Sequence, residues 1–121
     1  MMRTTAARHP ATTVVVTGVG LVGVGFGTLL TAAPRRGGRW LRLDATSIRR
    51  RRTLGIVDLT LGVAILGMRG SRRRWLPLAA HSVMHLPYAR EYLRDRRPVG
   101  AAVMCGLLAF DAVVAVAARP R

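Results

Sequence analysis

The chain alternates between long uncharged runs and blocks of arginine. Residues 11–33 carry no charge, and as a helix they span about 34 Å, enough to cross a bilayer core. Pro34 and the Gly37-Gly38 pair predict the end of that helix. Residues 53–68, TLGIVDLTLGVAILGM, form a second run with Asp58 inside it. At helical rise this run spans only about 24 Å, so flanking arginines must snorkel to reach the headgroups. Its eight Leu, Ile and Val side chains each favour insertion by about 0.3–0.6 kcal/mol, against roughly 3 for a central Asp. The balance is near zero, and the segment needs neighbouring helices. Residues 75–93 make a third run, interrupted by Pro77 and Pro87, which predict a kinked or partly interfacial helix. A fourth run, 98–118, starts on a proline suited to the first helical turn and contains one charge, Asp111. The expectation is an all-α protein, a four-helix transmembrane bundle forming a single domain over residues 1–121.

Composition sharpens this picture. The 121 residues include 20 basic and 5 acidic side chains, a net charge of +15, yet half the chain is apolar. The isoelectric point is near 12.0 and the mean hydropathy is +0.26. In a soluble domain such charges would be interleaved with apolar positions on amphipathic elements. Segregated blocks indicate an integral membrane protein, here a multi-pass protein of the bacterial plasma membrane type. The single Cys105 excludes a disulfide framework, and the apolar content excludes a disordered basic tail. Every basic residue is arginine, which together with abundant Ala, Gly and Val reads as codon bias. A signal peptide is the alternative for the first run, with Arg3 and Arg8 before it and Thr31-Ala32-Ala33 after. The run is too long for that, and Pro34 is a poor cleavage context, so a retained helix is favoured.

Four ionisable residues fall inside the runs: Asp58, His81, His85 and Asp111. Such groups are costly in hydrocarbon and ordinarily face the bundle interior. Counted from the 69–74 side at helical rise, Asp58 lies roughly 16 Å deep, His81 about 10 Å and His85 about 16 Å. Asp111, counted back from Arg119, lies about 12 Å deep. Antiparallel threading therefore puts polar residues of three helices in one layer. Three readings compete. Asp–His hydrogen bonds can fix helix register. The same groups can relay protons. The His81 and His85 pair, one turn apart with Met84 and Tyr88 extending the stripe, has metal-ligand spacing, but no further histidine stands in the spans. No metal ligand set and no cofactor is therefore assigned.

Gly55 and Gly62 share a helix face with Asp58, and the first run offers Gly20, Gly23 and Gly27 on one side. Small residues let helix backbones approach closely. Packing within the chain is the first reading, and a homodimer or a membrane-complex partner the second. The arginine-rich segment 34–52, with Trp40 and Arg49, Arg50, Arg51 and Arg52, suits anionic lipid headgroups. Its place between two spans argues against nucleic acid. Arginine counts favour the segments 34–52 and 90–97 over the termini and 69–74, which puts 34–52 in the cytoplasm and both termini outside. Cys105 reads as a packing residue.

The first helix ending Ala33-Pro34-Arg35, the Gly55-x-x-Asp58-x-x-x-Gly62 spacing, and two further apolar segments resemble the small DoxX-like integral membrane proteins of unknown function. The likeness runs from about residue 11 to 118. It implies four transmembrane helices, and some DoxX-like proteins are linked to membrane redox systems. Val57 stands where those relatives usually carry arginine before the aspartate, so no internal Arg–Asp pair is implied.

No phosphate loop, catalytic triad or metalloprotease motif is present, and no catalytic residue is assigned. The leading functional reading is a small membrane protein of structural or accessory role. The alternative is a proton-coupled or redox-associated protein that uses the Asp/His layer.

Overall fold

The computed structural model describes residues 10–121, all of whose regular structure is helical. Five helices follow in order: α1 (Pro10–Ala32), α2 (Pro34–Trp40), α3 (Ile48–Met68), α4 (Trp75–Arg94) and α5 (Pro98–Ala117). Pro34 does stop α1, since a proline cannot continue the ladder of amide donors. It then opens α2 as its first residue, where a missing N–H is harmless. Gly37 and Gly38 lie inside this short helix and do not terminate the first. The second long helix likewise begins earlier than the apolar pattern indicates. Ser47 caps it by accepting from the Arg50 amide at 3.2 Å, so Arg49–Arg52 are wound into its first turn. In α4, Pro77 sits in the first turn, and Pro87 lies inside an unbroken helix.

The long helices form two tight antiparallel pairs, α1 with α3 and α4 with α5. Glycine explains the first pair. A Cβ on Gly62 would stand 2.6 Å from the Val24 nitrogen, and one on Gly27 would overlap the Leu59 backbone. Only side-chain-free positions let the two backbones come this close. Gly20, Gly23 and Gly55 lie along the same seam, against Leu66, Gly62 and Leu30 in turn. All five glycines thus serve contact between helices of one chain. The two pairs meet less intimately, chiefly through α3 and α4.

Two apolar clusters fill the interior at different heights. One gathers Val16, Val19, Ile65, Leu78 and Val114 near the 69–74 turn. The other gathers Leu30, Leu43, Leu54, Met84, Tyr88 and Tyr92 at the opposite end. On α3, α4 and α5 the ionisable residues fall between them.

Many large apolar side chains face outward. Leu21, Phe26, Ile56, Val63, Val83, Leu86, Phe110 and Val113 are all exposed. Two helices, α1 and α5, are long and apolar enough to cross a membrane. The arginines at the start of α3, and Arg90, Glu91 and Arg94 at the end of α4, lower the hydropathy of the other two.

Candidate functional site

Asp58, His81, His85 and Asp111 converge at the seam between the two helix pairs. His81 is 4% exposed and stands at the centre. Its Nδ1 lies 2.6 Å from Asp111 Oδ2 on α5, and its Nε2 lies 2.8 Å from Asp58 Oδ1 on α3. His85, one turn along α4, places Nε2 2.8 Å from the same Asp111 oxygen. The two imidazoles sit edge to face, with centroids 5.0 Å apart. Tyr88, one further turn along, donates its hydroxyl to Asp58 Oδ2 at 3.4 Å. Helical periodicity alone aligns His81, His85 and Tyr88 on one face of α4. The fourth wall is α1, where a Cβ on Gly23 would come 3.2 Å from His81 Nε2. Ser82 anchors α4 to α5 by donating to the Leu108 carbonyl at 2.9 Å.

Each nitrogen–carboxylate contact is a hydrogen bond and holds one proton. A neutral imidazole carries one N–H, but both nitrogens of His81 face carboxylates. The node therefore contains either a doubly protonated His81 between two carboxylates, or a neutral His81 and one protonated aspartate. The two arrangements differ by moving one proton along an existing hydrogen bond. Both leave one net negative charge on His81 and the two aspartates, which hydrogen bonds from His85 and Tyr88 offset in part. His85 is the outermost member, with its side chain 12% exposed against 5% for His81.

A second polar cluster lies at the α2 end, and most of it has no signature in the hydropathy pattern. Arg51, grouped by sequence with its neighbours as a headgroup contact, turns inward instead. It is 8% exposed and donates to the carbonyl oxygens of Leu43 and Pro34 at 2.8 and 3.2 Å. The reason is local. The Leu43 carbonyl lies in the turn between α2 and α3, and Gly38 leaves open the space that the guanidinium occupies. Arg50 pairs with Glu91 at 2.8 Å, and Thr46 donates to the other Glu91 oxygen at 3.0 Å. Tyr92 donates to the Leu41 carbonyl, and Arg97 reaches Asp44 at 3.1 Å. Arg49 and Arg52 remain exposed, and Trp40 is 84% exposed. Glu91 and Thr46 escaped the sequence reading because Glu91 sits among arginines in what looks like a solvated charge run.

The only three-residue metal-capable grouping among the described residues is His81, His85 and Asp111. The apolar runs hold no third histidine to complete such a set. The fold supplies an α5 carboxylate. Cys105, expected as a packing residue, is instead exposed. No family model, no curated protein and no solved structure matches the chain.

Proposed function

We propose that the chain is a small multi-pass protein of a bacterial plasma membrane, spanning it with α1, α3, α4 and α5, and that its Asp58–His81–Asp111–His85 node holds and passes protons. The membrane reading is supported by exposure. Only 33% of the most apolar window of α1 and 22% of that of α5 is buried within the fold. A core helix of a soluble protein hides most of its apolar surface, whereas these helices turn theirs outward. The arginines at the ends of α3 and α4 sit where snorkelling reaches the headgroups of a bilayer. The resemblance to DoxX-like proteins points to the same four spans. Lipid, with anionic headgroups against Trp40, Arg49 and Arg52, is the partner this arrangement fits.

One observation carries the proton reading: both ring nitrogens of His81 are closed by carboxylates from different helices. Asn, Ser or Gln would link helices by hydrogen bonds without ionisable groups. Four ionisable residues at one node give alternative proton positions along one chain of hydrogen bonds, as a relay requires. The second reading is structural, with the node as the clamp between two helix pairs that otherwise meet loosely.

Reconstitution separates the two. Liposomes containing the protein and a trapped pH-sensitive dye receive a pH step. A proton-passing node dissipates the step faster than empty liposomes, and Asp111→Asn removes the difference while the helical circular dichroism persists. Wild-type vesicles no faster than empty ones leave only the structural clamp. Extraction of the protein from membranes by alkaline carbonate would remove the membrane reading itself.

A further inference from the structure

We infer that His81, His85 and Asp111 form a binding site for a single divalent transition-metal cation, with Asp58 orienting His81 from behind. This goes beyond proton transfer and does not depend on it, because ion binding requires no gradient.

The donor geometry comes first. His81 Nδ1, His85 Nε2 and the Asp111 carboxylate lie within 4.8 Å of one another. Ligands bound at about 2.0–2.1 Å to a tetrahedral ion stand about 3.3 Å apart. The contacts at Asp111 Oδ2 are 2.6 and 2.8 Å. Accommodating the ion requires widening them by roughly half an ångström. The two imidazoles come from consecutive turns of one helix, so α4 fixes their separation before any ion arrives.

The surroundings have the form that metal-binding histidines use. Such a histidine ordinarily donates its other ring N–H to a carboxylate, which fixes tautomer and orientation. His81 Nε2 points at Asp58 Oδ1, 2.8 Å away, and Tyr88 holds the other Asp58 oxygen. Asp58 faces the far side of the ring and cannot reach an ion on Nδ1. It is a positioning residue. His85 is the most exposed member.

Chemistry selects the ion. Two imidazoles and one carboxylate suit zinc, cobalt, iron or nickel, whereas calcium and magnesium need oxygen-rich shells. Charge selects it too. Two carboxylates buried within one node are balanced by one divalent cation, which takes the place of the protons in the two contacts at Asp111. His81 keeps its proton on Nε2, and His85 keeps one on Nδ1. Three protein donors leave a fourth position open, as in sites where the metal is chemically accessible.

The test uses the full chain in detergent, free of any affinity tag, in a His9→Gln, Cys105→Ser background that removes unrelated ligands. Zn²⁺ is titrated by calorimetry and Co²⁺ by visible absorption. The expected result is one ion per chain, with the intense Co²⁺ bands of a four- or five-coordinate site. His85→Ala should weaken binding at least a hundredfold with unchanged circular dichroism. Asp58→Asn should keep the stoichiometry and weaken binding roughly ten- to a hundredfold. Absence of wild-type binding, equal binding by His85→Ala, or a weak six-coordinate Co²⁺ spectrum each overturns the inference. Metal binding without proton flux would remove the proton reading and leave this site standing, and flux without metal binding would do the reverse.

Discussion

Arg51 donates twice to the carbonyl oxygen of Leu43, from Nε at 3.1 Å and from Nη2 at 2.8 Å. Only a planar guanidinium can address one acceptor from two nitrogens while a third reaches Pro34. Arg51→Lys should therefore lower stability by about 2 kcal/mol, the scale of charge-assisted hydrogen bonds lost from a buried site. Arg49→Lys, exposed two residues earlier, should be neutral within about 0.5 kcal/mol. Thermal unfolding in detergent checks both, and equal melting temperatures for the two variants would contradict the inward role of Arg51.

The helix seam makes a prediction of opposite signs. A Cβ at Gly27 meets the Leu59 backbone, whereas one at Gly25 meets nothing within 4 Å. Gly27→Ala should separate α1 from α3 and cost about 1–3 kcal/mol, as overpacking does. Gly25→Ala should stabilise α1 by about 0.5–1 kcal/mol, because alanine loses less backbone freedom in a helix. Denaturant titration of both variants decides, and a shared sign would show that the seam is not as drawn.

Within the node, Asp111 and Asp58 are not equivalent. One Asp111 oxygen lies within hydrogen-bond distance of two histidines, while Asp58 contacts His81 and accepts, at longer range, from Tyr88. Hydrogen bonds between membrane helices contribute about 1 kcal/mol each. Asp58→Leu should loosen the bundle by about 1 kcal/mol and Asp111→Leu by about 2. Asp58→Asn should retain most of the stability, since an amide still bonds across helices. Unfolding in mixed micelles measures all three, and an Asp58→Asn as damaging as Asp58→Leu would mean that charge, rather than hydrogen bonding, holds the node.

Orientation follows from arginine placement. The segments at the α2 end of the bundle carry more arginines than the termini and the 69–74 turn together. With the bundle in a bacterial membrane, the α2 end should lie in the cytoplasm and both termini outside. A phosphatase reporter after Arg121 should be active, as it is only outside the cytoplasm. Activity instead from a cytoplasm-dependent reporter at the same point would invert the arrangement.

How much of this was legible before folding differs by kind of information. Helices over the four apolar runs, and the common depth of Asp58, His81 and Asp111, follow from the residue order. Rise per residue is a constant of the helix, so depth accumulates along the chain without reference to neighbours. Small residues at Gly20, Gly23, Gly27, Gly55 and Gly62 marked close-packing faces for the same reason: the period is local. Rotation of each helix about its axis, and the choice of which helix stands beside which, are settled by all side chains at once. Only the tertiary structure decided that His81 divides its two nitrogens between Asp58 and Asp111, or that the third donor beside His81 and His85 is a carboxylate. Arg51 is the clearest case. Four consecutive arginines are indistinguishable in composition, but one helical turn directs them to four sides, and only one of those sides faces the Leu43 and Pro34 carbonyls.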